Sequence, residues 1–386
     1  MMKTVVIIGG GISGYMTANY LVSLKEVGSV VLVYSDSIPP IGVGEGVALN
    51  FLNYLSSVNI DIDEFKSFTK ATRKYGVAYK GWWDNDFVNV FLSEANPQKL
   101  NNLSEDMLSH ADIDYTEDYA IHYDCDKAIE LFKNKVESNS KFSSIEGIAS
   151  VNFEGDSVAS IEVNGSIIKA DYYVNCAKSG LFNEEYIELN DYNNSAITCH
   201  IEGESGFEYT EAKTMSAGWR WGIPLNGKTG YGYVYNDNFI SDEDAKVEFL
   251  DSLGNPNLDT KVIKYQAKFT ENPFQSNYAT IGLAQSFLDP LDTSSIIMTV
   301  NGITEVGRIF KGYERRDVNY RYLEEVSMYI KHLNSQYTHQ KRTEPYWAAK
   351  RDANLRTEPK DMSNSINSVT FFTYVGRGFI DPYNFI

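Results

Sequence analysis

The chain has 386 residues, enough for one large domain or two interleaved ones, and its 43% hydrophobic and 22% charged composition is ordinary for a globular protein. A formal net charge of -18 and a pI of about 4.7 argue against binding to nucleic-acid phosphates or anionic membranes. Three cysteines without metal or disulfide spacing, and no apolar run of about 18 residues, lead us to expect a protein of the reducing cytoplasm with no metal site.

The first predicted elements form a nucleotide-binding unit. Lys3–Ile8 is a β-branched run that predicts a buried parallel strand, and helical apolar spacing runs from Tyr15 to Lys25. Between them lies GGGISG, a G-x-G-x-x-G in the strand–loop–helix context of dinucleotide-binding folds. Such glycines allow a tight turn, close approach to a pyrophosphate at the helix N-terminus and close helix packing. We therefore expect a dinucleotide cofactor to contact Gly9, Gly10, Gly11, Ile12, Ser13 and Gly14.

The second predicted strand, Ser29–Tyr34, departs from the usual pattern. An acidic residue about 20 residues past the loop normally ends this strand and holds the adenosine ribose. Tyr34 stands at that place, and Asp36 lies two residues further on. Either Asp36 reaches back or the Tyr34 hydroxyl takes the role, and we expect both at the cofactor.

The segment IPPIGVGEG, residues 38–46, is typical of neither a strand nor a helix. Three glycines at spacing two around an acid suit close approach of the backbone to a ligand, although an ordinary turn is the alternative. We predict cofactor contacts from Gly42, Gly44 and Glu45.

Two histidines have structural explanations. Asp124 is the predicted N-cap of a helix that ends at Lys135, and we interpret His122, just before it, as structural. His200 has no partner at metal-ligand spacing, which argues against zinc.

The later elements are strands followed by a helix. Ser144–Phe153 and Val158–Ile168 predict a hairpin, Gly230–Tyr235 predicts a further strand, and Tyr320–His332 has helical periodicity. In GWRWGIPL, residues 218–225, an extended chain would place two tryptophans and an isoleucine on one face, with the proline ending or edging the strand. This apolar wall is either part of the sheet core or one side of a binding site for a planar molecule. Its members are Trp219, Trp221, Ile223 and Pro224.

These segments resemble the flavin-dependent halogenases, the family of the tryptophan halogenases. GGGISG and IGVGEG match its N-terminal motifs, and GWRWGIPL matches its W-x-W-x-I-P signature. YAIHYDCDKAIELF, ADYYVNCAKSGLF and IGLAQSFLDPLDTSSI resemble later family segments, so the matches extend from residue 5 to about residue 350.

The resemblance implies an α/β fold: an FAD-binding Rossmann-like (GR2/PHBH-type) domain, a mixed or antiparallel substrate-side sheet and a short, partly helical C-terminal part. We expect one interleaved module over residues 1–386. Its FAD-binding segments would be 1–75, 105–180 and 275–310, its substrate-side sheet 76–104 and 181–274, and its helical part 311–386.

The resemblance also implies a reaction. Reduced FAD from a separate flavin reductase would act with oxygen and halide to form hypohalous acid, which crosses a tunnel to an electron-rich, often aromatic, small molecule. The W-x-W-x-I-P segment would keep that substrate away from the flavin.

The family's catalytic lysine, as we align the pattern K-x-x-x-K-x-x-x-W, falls on Ala78. Lys74 and Trp82 match the outer positions, and Lys80 lies two residues beyond Ala78 on the same face of a strand. We therefore expect Lys80 to supply the ammonium group; the alternative is a surface lysine.

The segment DPLDTSS corresponds to the family's D-P-L-E-S-T-G. Asp292 stands for the catalytic glutamate, one methylene shorter, and would polarise the oxidant or accept a proton. Ser294 and Ser295 take the halide-binding positions, and Leu283 is the expected flavin contact.

Two alternatives remain open: an FAD-dependent monooxygenase or oxidoreductase of this fold, and a decayed copy that binds FAD without turnover. Relative to the tryptophan halogenases the chain is short at its C-terminal end, so we expect a substrate other than tryptophan. Family habit suggests a homo-oligomer.

Overall fold

The structure is a computed structural model that describes residues 2–38, 45–47, 49–84, 86–90, 119–190 and 192–357. The predicted cofactor contacts Gly42 and Gly44 lie outside the described residues, as do parts of the ranges 76–104, 105–180 and 311–386.

A mostly parallel sheet carries the glycine loop. Its six described strands, in spatial order, are β20 (Phe274–Gln275), β21 (Tyr278–Thr280), β12 (Tyr172–Asn175), β1 (Lys3–Ile8), β2 (Val27–Tyr34) and β8 (Phe142–Glu146). Only β20 runs antiparallel to its neighbour among them. The apolar run Val5–Ile8 is buried throughout, because both faces of the sheet are covered.

A second, mixed sheet stands beside it. Its seven described strands, in spatial order, are β18 (Lys261–Lys264), β14 (Ser195–Glu202), β17 (Lys228–Tyr235), β16 (Gly218–Leu225), β15 (Thr210–Met215), β5 (Gly76–Lys80) and β6 (Phe87–Val90). The β15–β5 pair is parallel and the other pairs are antiparallel. The predicted fold class, with a mixed sheet on the substrate side, is confirmed.

Three smaller sheets complete the described strands. They are β11 (Ser166–Ile168), β10 (Ser157–Val163) and β9 (Ala149–Glu154); β13 (Tyr186–Glu188), β19 (Lys268–Thr270) and β22 (Ser286–Phe287); and β3 (Glu45–Gly46), β7 (Ala120–Tyr123) and β4 (Thr72–Lys74).

The predicted hairpin is present but its strands are shorter than expected. The predicted strand Ser144–Phe153 breaks at Gly147, since Phe142–Glu146 pairs with β2 in the parallel sheet. The other predicted strand, Val158–Ile168, is interrupted by Asn164 and Gly165. Both residues have positive φ, which favours a tight hairpin turn.

The described helices are α1 (Ile12–Ser23), α2 (Leu49–Ser57), α3 (Ile62–Thr69), α4 (Cys125–Glu137), α5 (Asp242–Leu253), α6 (Ser294–Phe310), α7 (Arg315–His339) and α8 (Pro345–Thr357). The predicted helix Tyr320–His332 lies within the longer α7, and Asp124 caps α4 as predicted by accepting from Lys127 N. Helix α6 packs against α1, α2 and α7. None of the helices in the described part of the chain has the length and apolar character to cross a bilayer.

Candidate functional site

The glycine loop has the geometry of a pyrophosphate cradle. Gly9 has φ +126°, and a Cβ on Gly14 would lie 1.8 Å from the Gly9 carbonyl oxygen, so both positions require glycine. A Cβ on Gly11 would meet no atom of the described residues within 4 Å, which leaves space beside the loop in this part of the structure. Gly11 is also the N-cap of α1 and provides no side-chain cap, so the first amides of α1 remain available to an anion.

Three other predicted contacts surround this loop. Tyr34 ends β2 beside Gly10, whose Cβ would lie 2.6 Å from that of Tyr34, while Asp36 is exposed. Gly282 has φ +70°, and its Cβ would lie 2.3 Å from Ser13 Oγ, so the turn at residues 282–284 abuts the loop. Leu283 in that turn is 46% exposed, high for a leucine. An open cradle, an uncapped helix and an exposed apolar side chain fit a dinucleotide such as FAD.

Lys74 is the buried amine of the site. It ends β4, is 1% exposed and donates from Nζ to Thr293 Oγ1 at 2.7 Å. A Cβ on Gly46, at the end of the second glycine segment, would lie 3.2 Å from Lys74 Nζ, and Glu45 precedes it in β3. The amine therefore lies between the predicted cofactor segment and the DPLDTSS segment.

His122 is buried beside this amine. Its Nε2 lies 2.8 Å from Thr210 Oγ1, and burial, followed by the charge of Lys74, holds the pKa of His122 well below its usual value. A neutral imidazole next to a lysine avoids a second buried positive charge.

Asp292 is fully buried and receives two donors. The Tyr79 hydroxyl lies 2.7 Å from both carboxylate oxygens, and His332 Nε2 lies 2.6 Å from Oδ2. Burial, followed by the Asp292 charge, raises the pKa of Tyr79 well above its usual value, so Tyr79 remains a proton donor. The carboxylate is thus fixed by side chains from β5 and α7.

The backbone at Asp292 and Thr293 is left-handed. Their φ and ψ angles are 62° and 25° for Asp292 and 68° and 26° for Thr293. Two successive L-residues in this region, one of them β-branched, are uncommon and occur mainly where surrounding contacts enforce them. This turn directs the Thr293 hydroxyl towards Lys74.

The predicted halide residues open helix α6. The first amides of this 17-residue helix have no intrahelical partner, and its N-cap Thr293 makes no side-chain hydrogen bond to them. Ser294 uses its hydroxyl to donate to the Asp289 carbonyl at 2.7 Å, and Ser295 follows it in the first turn. The helix N-terminus and the nearby Lys74 ammonium together favour an anion.

The two tryptophans of GWRWGIPL lie on one buried face of the mixed sheet. Register pairs place Tyr79, Ala212 and Trp221 side by side across β5, β15 and β16, and Trp219 and Ile223 alternate onto the same face. Pro224 lies beyond the end of the β15 pairing, and its carbonyl accepts from Thr72 Oγ1 at 2.6 Å. Trp219, Trp221 and Ile223 therefore share a face with the Tyr79 side chain that contacts Asp292.

A hydrogen-bond chain connects this wall to the DPLDTSS segment. Trp219 Nε1 donates to the Tyr337 hydroxyl at 3.0 Å, and that hydroxyl donates to Asp289 Oδ2 at 3.0 Å. Asn193 Nδ2 lies 3.1 Å from the same carboxylate oxygen. The W-x-W-x-I-P motif is therefore joined through α7 to the loop that begins α6.

Lys80 lies on the opposite face of the same sheet. Its Nζ forms an ion pair with Glu211 Oε2 at 2.9 Å, and Glu211 also pairs with the buried Arg220. Ala78 shares that face with Lys80, because side chains two apart on a strand point the same way. The structure therefore does not bring Lys80, or the Ala78 position, together with Asp292.

Sequence reasoning missed several members of the site. Lys74 was recognised only as an outer match of a pattern, and no local signal singled out Thr293, His332 or Tyr337. For Tyr79 the available signal was strand alternation, since it places the Tyr79 side chain on the other face of the sheet from Lys80.

A separate cavity of about 260 Å³ lies between α1, α2, α6 and α7. Glu325 lines it, and burial raises the pKa of that carboxyl to about 8, against a smaller lowering by a hydrogen bond from Asn301. The predicted site residues that the structure describes do not line this cavity.

The sequence profile of the family described as tryptophan halogenase matches residues 4–98 and 88–385. Tryptophan 6-halogenase ThaL of Streptomyces albogriseolus is 26% identical over 433 residues, covering 93% of this chain and 81% of the relative. Among solved structures, Xcc4156, a flavin-dependent halogenase from Xanthomonas campestris, superimposes with a TM-score of 0.83 at 19% identity, covering 98% of this chain and 90% of the other. BrvH, a flavin-dependent halogenase from Brevundimonas sp. BAL3, gives 0.79 at 21% identity, with the same coverage.

Proposed function

The chain belongs to the tryptophan halogenase family and is a flavin-dependent halogenase, and we propose that Lys74, Asp292 and the N-terminus of α6 carry its halogenation step. The family implies the use of FAD and halide with an aromatic small molecule. The observation that carries our assignment is the buried Lys74 amine, 2.7 Å from Thr293 Oγ1 at the start of α6.

When held at the glycine loop of residues 9–14, reduced FAD would supply the oxygen activation that converts halide into hypohalous acid. The remaining steps of the reaction can be assigned to side chains and backbone amides of this chain. The Lys74 ammonium is a donor to the oxygen of hypohalous acid, and its proton lets that oxygen leave as water while halogen bonds to the ring carbon. The uncapped amides of α6 favour the halide ion before it reacts.

Asp292 takes the role of proton acceptor for the halogenated ring. An ionised carboxylate has about four acceptor positions, so the donors Tyr79 and His332 leave capacity for a further proton. When the ring C–H bond breaks, its electron pair restores aromaticity and the proton passes to Asp292.

We also propose a separate flavin reductase as the source of reduced FAD, and a cytoplasmic location. In that setting NADH and FAD are both available to the reductase. The aromatic substrate in this proposal is an electron-rich ring.

The test combines purified protein with FAD, a flavin reductase, NADH and oxygen, and offers chloride, bromide or iodide with an electron-rich phenol. Halogenated phenol and peroxide are measured in the same tube, with no-enzyme and catalase-treated controls. We expect halogenated phenol above the no-enzyme control, and this product should persist when catalase removes free peroxide. Hydroxylated phenol, or peroxide alone, from protein that binds FAD would contradict the proposal.

A further inference from the structure

Side chains of helix α7 contact the DPLDTSS segment, residues 289–295, at two points. His332 contacts the Asp292 carboxylate at 2.6 Å, and five residues later Tyr337 donates to Asp289 at 3.0 Å. Both side chains are buried, and the His332 side chain is 3% exposed. One helix thus holds both acidic residues of the loop that leads into α6.

The loop needs such support because its backbone is unfavourable by itself. Asp292 and Thr293 are both left-handed, and a β-branched threonine is a poor occupant of that region. A conformation of this kind persists only when neighbouring contacts over-determine it. Side-chain hydrogen bonds from outside this segment reach Asp292 from Tyr79 and His332, and reach Thr293 from Lys74.

The left-handed turn has two consequences for the site. It directs Thr293 Oγ1 to the Lys74 amine, and it starts α6 without a side-chain cap, so that the first amides of the helix stay open. If the turn relaxed to an extended N-cap conformation, the Thr293 hydroxyl would be free to cap those amides instead.

We propose that His332 is a positioning residue of the halogenation site: by holding Asp292, it maintains the turn that keeps the α6 N-terminus open and Thr293 on Lys74. The proposal rests on the proposed function for the identity of the anion. It assigns His332 no contact with substrate or cofactor.

Three substitutions separate positioning from simple core packing. His332→Gln keeps an N–H donor at a similar reach, His332→Met has a similar length without the donor, and His200→Gln is a control at a half-buried histidine outside the site. The measurements are kcat and the KM for bromide, together with the rise in melting temperature that bromide produces in FAD-free protein.

We expect His332→Met to raise the KM for bromide by at least about tenfold, because a hydrogen bond to a buried charge is lost. The bromide-dependent rise in melting temperature should disappear in the same variant. His332→Gln should recover most of both effects, and His200→Gln should match the unsubstituted protein.

The proposal is overturned if His332→Met and His332→Gln have the same KM for bromide, or if both lose activity only in proportion to folded protein. If the phenol is not halogenated but the bromide effect on melting depends on the residue 332 donor, the proposed function fails while this inference stands. If halogenation occurs with a KM for bromide that is indifferent to residue 332, the inference fails alone.

Discussion

Lys74 and Lys80 lie six positions apart but have opposite surroundings. Lys74 is buried against Thr293 and His122, whereas Lys80 is paired with Glu211, whose negative charge is also shared with Arg220. An ammonium group already engaged by a carboxylate is a weaker candidate for donating to a neutral oxidant. The two residues therefore make a matched test of which lysine serves the chemistry.

Replacing Lys74 by Met should abolish halogenated product, lowering the rate by at least about a hundredfold, because the proton donor is lost. Binding of FAD should persist, because Lys74 lies outside the glycine cradle. Lys80→Met is the control and should keep most of the activity. The reverse result, with Lys80→Met inactive and Lys74→Met active, would restore the sequence-based assignment.

Glu325 gives the protein a pH dependence unrelated to the halogenation site. The pKa of the Glu325 carboxyl is about 8 in the folded protein and 4.5 for an ordinary glutamate, so the folded protein keeps a proton that the unfolded chain releases between those two values. The free energy of unfolding contributed by Glu325 is therefore full below about pH 4.5 and is lost as the pH rises towards 8.

Glu325→Gln should remove this loss, because glutamine does not titrate and can still accept from Asn301. Urea unfolding at about pH 5 and about pH 8.5 should show the variant gaining on the unsubstituted protein at the higher pH. Glu324→Gln, at the exposed neighbour, should show no such gain. An equal pH response in both variants would contradict the buried-carboxyl account.

At the scale of elements, the glycine loop permits a substitution that separates folding from cofactor binding. Gly11 has φ -82° and ψ -173°, which alanine adopts readily, and its Cβ would lie more than 4 Å from every atom of the residues that the structure describes, its two chain neighbours aside. Gly11→Ala should therefore melt like the unsubstituted protein without FAD, yet lose the stabilisation that FAD provides. Thermal melting with and without FAD tests this, and an unchanged FAD effect would place the pyrophosphate elsewhere.

Strand β16 contains a matched pair of tryptophans. Trp219 Nε1 donates to Tyr337, whereas Trp221 Nε1 is buried and has no hydrogen-bond partner among the described residues. Trp219→Phe should cost about 1 kcal/mol more stability than Trp221→Phe, because only the first loses a made hydrogen bond. Chemical denaturation measures both; equal losses would mean that the link through Tyr337 contributes nothing beyond packing.

The sequence identified those elements whose signal is local. The glycine loop and the W-x-W alternation depend on neighbouring residues, so their strands, turn and helix could be read directly. The predicted Ser144–Phe153 strand was too long because pairing of residues 142–146 with β2 is a tertiary choice. His332 and Tyr337 could not be placed at the site, since they reach Asp292 and Asp289 across 40 and 48 residues.

At the scale of the whole molecule, two sheets and an acidic surface charge frame the site. The parallel sheet carries the glycine loop, and the mixed sheet carries Trp219 and Trp221. Helix α6 packs against α1 and begins next to Thr293, which accepts a hydrogen bond from Lys74. A formal charge of -18 repels anions generally, so a halide site must overcome that field locally with the Lys74 ammonium and the open end of α6.

Salt should therefore act on this protein in two separable ways. Screening of the net charge should raise the melting temperature with ionic strength for any monovalent salt, since charges more than about 10 Å apart are screened at 0.1 M. Bromide should add a specific increment over formate at equal ionic strength, because it also occupies the local site. In Lys74→Met the general rise of melting temperature with ionic strength should persist, while the additional increment from bromide should vanish. Comparison with this variant also corrects for any effect of bromide on the bulk solvent. A bromide increment that survives in Lys74→Met would locate halide binding away from the start of α6.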